Sequence, residues 1–148
     1  IITITDKSMT RFMISLKEAI NLVLRAFKTS LGGEIYVKKI PSMNIVDIAK
    51  SVSLKSKIKY IGIRPGEKIH EQMIGPEDSP FTYEFKTYFK ILPSIHNFYL
   101  DKNRIGKGKK VPPNFSYSSN NNHDWMTKSQ LKNWIKKNIN NIVTISNN

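Results

Sequence analysis

Ser15-Leu16-Lys17-Glu18-Ala19-Ile20-Asn21-Leu22-Val23-Leu24-Arg25-Ala26-Phe27, closed by Gly32-Gly33 and followed by Glu34-Ile35-Tyr36-Val37, is the stretch that decides the fold class. Ser15 and Glu18 have the spacing of a capping box, in which the Ser hydroxyl takes a free amide and the Glu reaches back to the cap. Leu16, Ala19, Ile20, Val23, Leu24 and Phe27 recur at i, i+3, i+4, i+7, i+8 and i+11, which predicts a helix with one buried face. The glycine pair stops that helix, and the apolar run after it predicts a buried strand. Upstream, residues 1–5 alternate apolar and polar, Asp6-Lys7-Ser8 make a turn, and Arg11 to Ile14 read as a second extended piece. Downstream, Pro41-Ser42 opens a second helix carrying Ile45, Ile48, Ala49 and Val52 on one side, and Lys57 to Ile63 make the next strand. Helix and strand alternate, so the class is α/β.

Further along, a short helix is expected to end near Met73-Ile74, and the aromatic, period-2 run from Phe81 to Leu92 predicts an extended segment or hairpin. Residues 93–120 read as mostly irregular. Thr127 with Gln130 offers another capping box, opening a last amphipathic helix on Leu131, Trp134, Ile135 and Ile139. Residues 1–140 are expected to form one region, followed by an Asn-rich, disordered tail over 141–148. No internal repeat is visible.

The chain has 148 residues, 39% of them hydrophobic, and no cysteine, so disulfide frameworks, thiol catalysis and cysteine-based zinc sites are excluded. No run approaches the roughly 20 apolar residues that span a bilayer, and the first residues lack the signature of a signal peptide. A cytoplasmic, soluble domain is expected. The strand-like start without Met predicts a chain that begins in mid-fold. A net charge of +13 raises nucleic acid as a partner. Yet 20 of the 24 basic residues are Lys, spread along a chain that also carries 14 Asn and 21 Ile. The local cluster from Lys102 to Lys110 has no interleaved aromatics for base stacking and is expected to be a solvated loop.

The four Arg, at 11, 25, 64 and 104, are therefore informative. Arg64-Pro65-Gly66-Glu67-Lys68 follows a predicted strand, at the carboxyl end where open α/β sheets bind ligands. Proline fixes one backbone angle and glycine relieves the turn. The guanidinium fork suits a diphosphate, and the carboxylate suits paired hydroxyls such as those of a ribose. From these residues alone the motif reads equally as an exposed turn with a surface ion pair worth at most ~1 kcal/mol. Arg11, flanked by Thr10 and Phe12, would by itself snorkel across a core edge. Beside Arg64 it gains a reason, since two forks meeting on one anion explain two Arg in a Lys-rich chain.

Other candidates are poor. His70-Glu71 has no second His four residues on, and His96 and His123 are isolated, so no metal site is expected. Glu34 and Asp47 read as ordinary polar edges. Gly106-Lys107-Gly108 lacks the rest of any phosphate-binding fingerprint, and no Tyr has Lys four residues later, so no catalytic residue is assigned here.

Ile2 to Asp6, Met9 to Phe12, Gly33 to Val37, Lys39 to Met43, Ile45 to Asp47, Ile61 to Lys68 and Tyr117 to Ser119 with Trp125 downstream, taken in order and spacing, resemble one family. It is the inverting UDP-N-acetylglucosamine 4,6-dehydratases, extended short-chain dehydrogenase/reductase enzymes of polysaccharide biosynthesis. The resemblance covers the chain to about Asn140 and matches only their C-terminal, substrate-binding half, without the N-terminal Rossmann half. It implies a lyase in which NADP, held by that other half, oxidises C4, water leaves across C5–C6, and hydride returns to C6 with inversion at C5. It also implies pseudaminic-acid-type nucleotide-sugar synthesis and homo-oligomers of the complete enzyme.

For this chain the resemblance implies a UDP-N-acetylglucosamine seat, inactive by itself. Arg11 and Arg64 would bind the diphosphate, Glu67 the uridine ribose, and the strand from Thr3 to Thr5 would lie against uracil. Asn120 to Asn122 and His123-Asp124 depart from the acidic residue and Thr usual before that Trp, which puts any local contact there in doubt. Three alternatives stay open. They are the related 4,6-dehydratase/5-epimerase of the N-acetyl-fucosamine route, a stand-alone UDP-sugar-binding module, and a basic nucleic-acid binder.

Overall fold

Ser15 accepts the Glu18 amide while the Glu18 carboxylate takes the Ser15 amide, so the capping box forms as its spacing dictates and opens a helix over Leu16–Thr29. The computed structural model describes residues 1–143 in backbone and 1–137 in side chain. The elements in chain order are β1 (Ile2–Ile4), β2 (Thr10–Phe12), α1 (Leu16–Thr29), β3 (Ile35–Lys38), β4 (Ser42–Asn44), α2 (Ile45–Val52) and β5 (Ile58–Tyr60). There follow β6 (Gln72–Ile74), β7 (Thr82–Glu84), β8 (Tyr88–Ile91), α3 (Lys102–Ile105), β9 (Lys109–Lys110), β10 (Tyr117–Ser118) and α4 (Lys128–Val143). Three-ten turns span Pro76–Phe81 and Ile95–Leu100. The mixed α/β class is as the alternation predicts. The helix of α4 runs to Val143, and residues 144–148 of the expected tail lie outside the described residues.

The chain divides into two compact units. The first comprises residues 1–13, 41–71 and the segment from Asn122 onward. In it β1 pairs parallel with β5, Ile2 opposite Ile58 and Ile4 opposite Tyr60, and β2 pairs antiparallel with β4, Arg11 opposite Met43. Asn44 caps α2 through the Val46 amide at 2.8 Å, so Ser42 is a strand residue and the helix opens three residues later than Pro41-Ser42 predicts. Helices α2 and α4 pack together, with Lys128 bridging to Asp47 at 3.0 Å. Met9, Met43, Ile4, Ala49 and Leu131 form the buried core of this unit. The segment at Asn122 docks beside β4. Asn122 Nδ2 donates to Ser42 Oγ at 3.0 Å, the Ser42 amide to the Asp124 carbonyl at 2.8 Å, and the Met126 amide to the Ser42 carbonyl at 2.9 Å. Asn122 is thus built into the strand edge by its own amide side chain.

The second unit comprises residues 14–40 and 72–121. Its sheet is antiparallel, in the order β3-β8-β7-β9, and β7 with β8 realises the hairpin read from the aromatic run. Phe89 packs against the Phe115 and Tyr117 rings at 5.2 and 5.1 Å. The Tyr117 hydroxyl accepts the Ile40 amide and donates to the Ile40 carbonyl, each at 2.9 Å.

Several expectations are corrected. No short helix ends near Ile74; β6 pairs there with β10, and Ile74 is fully buried. The carbonyls that a helix through 68–69 would bond internally are taken by the Arg11 guanidinium and by the Thr10 amide. Residues 93–120 are more regular than expected, holding α3, β9 and β10. The Lys102-to-Lys110 cluster is not simply a solvated loop, and Glu34 is not an edge. Arg104 is buried and bonds Glu34 Oε1 at 2.8 Å and the Gly32 carbonyl at 2.7 Å, its charge lying 4.1 Å from the Phe98 ring centre. Lys90, buried in β8, donates to the Arg104 carbonyl, and burial holds its ammonium below the usual lysine range against the pull of Glu34. Finally, α1 is where it was expected, but its predicted buried face is not buried. Leu16, Ile20, Val23, Leu24 and Phe27 are exposed, while Ala19 is half-buried.

Candidate functional site

Arg64-Pro65-Gly66-Glu67 closes as a β-turn, the Glu67 amide donating to the Arg64 carbonyl at 3.1 Å. Pro65 takes the second position and Gly66 the third, where φ is +79° and open space surrounds the missing Cβ. That is type II chemistry, in which the third position favours glycine for conformation alone. The carboxylate folds back over the turn, with Glu67 Oε2 accepting the Arg64 amide at 3.3 Å and Glu67 Oε1 accepting the Thr5 hydroxyl at 3.0 Å. Thr5 stands at the end of β1 and is half-buried, whereas Thr3, within the strand, faces outward. Thr5 also lies 3.1 Å from the sulfur of buried Met9. The Arg64 side chain is exposed, and no described residue pairs with its guanidinium. It is the uncommitted fork of the site.

Arg11 differs. Its Nη1 donates to the carbonyls of Thr10 (2.7 Å) and Ile69 (3.0 Å), and its Nη2 to the carbonyl of Lys68 (3.1 Å) and weakly to Met9 sulfur (3.7 Å). Its Nε sits 3.5 Å from the Glu71 carboxylate. All five guanidinium N–H groups therefore have protein partners. Thr10 meets His70 Nδ1 at 2.8 Å and its amide donates to the Ile69 carbonyl at 3.1 Å. The segment from Lys68 to Glu71 is consequently stitched to β2. At the turn before β2, Ser8 donates through hydroxyl and amide to Asp6, which holds that carboxyl below its usual range.

The fold thus brings Thr5, Glu67 and the Arg64 backbone into direct contact and fastens Arg11 to the residues just after them. Thr3 makes no side-chain hydrogen bond to the other four among the described residues. His70 and Glu71 are the partners for which the sequence carries no local signal, since they meet Thr10 and Arg11 from some sixty residues away. Among the described residues no cluster of three or more His, Asp or Glu could hold a metal ion, and no helix is long and apolar enough to cross a membrane.

Comparison with known proteins bears on this geometry. A family model described as polysaccharide biosynthesis protein matches residues 1–93. The chain is 48% identical over 135 residues to a UDP-N-acetylglucosamine 4,6-dehydratase (inverting) of Campylobacter jejuni, covering 86% of this chain and 40% of that protein. It is 36% identical over 124 residues to a UDP-glucose 4-epimerase of Rickettsia canadensis, covering 81% of this chain and 36% of that one. The X-ray structure of Pen from Bacillus thuringiensis superposes with a TM-score of 0.75 at 30% identity, over 93% of this chain and 40% of that one. The chain spans 40% or less of the length of these proteins.

Proposed function

The chain belongs to the polysaccharide biosynthesis protein family, and from that premise we propose that it is the uridine-diphosphate-sugar seat of a C5-inverting UDP-N-acetylglucosamine 4,6-dehydratase. The observation that carries the reading is the turn itself. A free, exposed guanidinium at Arg64 stands next to a carboxylate whose orientation is fixed by Thr5. Arg64 supplies the fork for the diphosphate, Glu67 accepts from the ribose hydroxyls, and Thr3 and Thr5 border the uracil. Arg11 adds positive charge and holds the 68–71 segment in place. To bond a phosphate oxygen directly it must release one of its carbonyl partners.

The Campylobacter and Rickettsia relatives both carry a UDP-sugar in their names. The UDP-sugar class thus has two supports, while dehydration and the pseudaminic-acid route rest on the first. A 4-epimerase is the second reading, favoured by the Rickettsia match. NADP would supply the hydride acceptor and donor. Helices α1 and α2 open on Ser15 and Asn44 side-chain caps rather than on glycine-rich phosphate turns, so neither offers a dinucleotide cradle, and the cofactor would be held by other polypeptide together with which the seat works.

The test joins this chain to the remaining portion of the Campylobacter relative and supplies UDP-N-acetylglucosamine. Release of a 4-keto-6-deoxy product supports the dehydratase reading. Interconversion at C4 without loss of water favours the epimerase instead, and failure of the fold-competent assembly to bind UDP at all overturns both.

A further inference from the structure

We propose that the cleft between the Asp124–Met126 segment and α4 is a carbohydrate-binding site that takes an uncharged pyranose of glucose configuration. Both tryptophans of the chain, Trp125 and Trp134, line it, together with Asp124, Gln130 and Asn133. Gln130, Asn133 and Trp134 stand at i, i+3 and i+4 on α4 and so share one face of the helix. The cleft measures about 360 Å³, at the small end of the range for small-molecule sites, with room for a single sugar or the end of a glycan. Trp125 is 43% exposed, yet its indole is fixed. Its Nε1 donates to the Asn122 carbonyl at 2.7 Å, and its neighbours Asp124 and Met126 are hydrogen-bonded to Ser42 on the edge of β4. A large ring anchored at its polar edge while nearly half open to solvent is oriented for stacking before a ligand arrives, which lowers the cost of ordering it.

The polar groups select the occupant. Gln130 Oε1 accepts the Thr127 amide and hydroxyl at 2.7 and 2.8 Å, which leaves its Nε2 as a donor. The Asp124 carboxylate and the Asn133 amide have no side-chain hydrogen bond or ion pair among the described residues. The cleft thus combines indole faces, an acceptor-only carboxylate and amide donors. A glucose-type ring matches this set, because its hydroxyls are equatorial and its axial C–H groups form an apolar face. That face can lie on an indole while the rim hydroxyls meet the carboxylate and the amides. Charge disfavours an anionic ligand. In a chain of net charge +13, Asp124 is the one charged group among the described residues lining the cleft, and it would repel a phosphate or a carboxylate. The cleft also lies on the opposite edge of β4 from Arg11. Arg11 stands on β2, across from Met43, whereas Ser42 turns its amide and carbonyl to Asp124 and Met126. The inference therefore stands without the uridine seat.

The test follows methyl β-glucoside, cellotetraose and glucose 6-phosphate by saturation-transfer NMR on this chain joined to the remaining portion of the Campylobacter relative, with folding checked by circular dichroism. The glucoside is expected to bind with a dissociation constant of about 1 mM. Trp125→Ala should weaken it about tenfold or more, and Asp124→Asn and Asn133→Ala roughly threefold each, while Lys136→Gln, outside the cleft, should leave it within about twofold. Should Trp125→Ala unfold, the other two cleft variants carry the test. Glucose 6-phosphate should bind more weakly than the glucoside, and saturating UDP should not displace the glucoside. Cellotetraose binding tighter than the glucoside assigns the cleft to the end of a glycan, and equal binding assigns it to a free sugar. No sugar binding by folded protein, or binding indifferent to the cleft variants, overturns the inference. Tighter binding of the phosphate ester overturns it as well, and so does displacement by UDP, which would put the sugar in the uridine seat. Self-association that Trp125→Ala abolishes also overturns it, since a second copy would then fill the cleft.

Discussion

Thr5 Oγ1 donates to Glu67 Oε1 over 3.0 Å, joining the end of β1 to a turn 62 residues further along. With Glu67 Oε2 on the Arg64 amide, both carboxylate oxygens are held, so the group that would meet ribose hydroxyls is oriented before any ligand arrives. Preorganisation of this kind lowers the ordering cost of binding.

Thr5→Val removes the hydroxyl and keeps the volume. UDP binding by the assembled protein is expected to weaken by roughly 0.5–1.5 kcal/mol, the net scale of one hydrogen bond. Thr5→Ser should retain most of the affinity. Calorimetric titration reads both, and equal affinity in the Val variant would show that Glu67 needs no such support.

Arg64→Lys keeps the charge but loses the fork. The expected loss is about 1.5–3 kcal/mol in UDP affinity, the scale of a hydrogen bond to a charged group. Unchanged affinity removes Arg64 from the site.

In the second unit, Arg104 and Glu34 form a buried pair that also bonds the carbonyls of Gly32 and Leu31 and the hydroxyl of Ser30, while Arg104 Nε makes no hydrogen bond and stands 3.5 Å from the Asp101 carboxylate. Breaking one side strands the other charge. Arg104→Met alone is expected to cost about 3–5 kcal/mol of folding stability, while Arg104→Met with Glu34→Leu should cost far less. Urea denaturation of the two variants checks the difference.

The same pair sets an acid limit. Burial pushes the Glu34 carboxyl up, but the Ser30 hydroxyl, backbone amides that include Leu31 and the Arg104 charge outweigh it, and the group sits below its ordinary 4.5. A carboxyl depressed in the folded state binds fewer protons there than in the unfolded chain. Its stabilisation is therefore complete above the unfolded value and disappears as pH falls through the folded one. Melting curves taken downward from about pH 6 should fall more steeply for the native chain than for the Arg104→Met/Glu34→Leu double variant. Parallel curves would contradict this assignment.

Tyr117→Phe deletes the hydroxyl that both donates to and accepts from Ile40. The ring contacts with Phe89 remain, but two hydrogen bonds are lost, at an expected cost of about 1–3 kcal/mol by thermal or chemical melt.

Much of the fold is legible in the sequence because its causes are local. The boxes at Ser15-Glu18 and Thr127-Gln130 act within three residues and form as read. The Arg64-to-Glu67 turn follows from Pro and Gly, and the alternation from Phe81 to Leu92 becomes the β7–β8 pairing. The five candidate site residues are named from sequence, through resemblance more than through spacing, and the structure adds what surrounds them. What they touch was not, because Thr5 with Glu67 and Arg11 with the Lys68 and Ile69 carbonyls are contacts across about sixty residues.

By itself the sequence determined helices α1 and α4, the strands flanking α1, the β7–β8 hairpin, the sharp turn at Gly66, and the family, since caps, periodicity and motif order are all carried within short windows. Only the tertiary structure decided that Glu34 and Arg104 are a buried pair, that 68–71 is captured by β2 instead of forming a helix, and that the apolar stripe of α1 stands open. The physical reason is common to all three. Periodicity and charge say what a side chain would prefer to meet, whereas burial depends on which distant segment is brought against it.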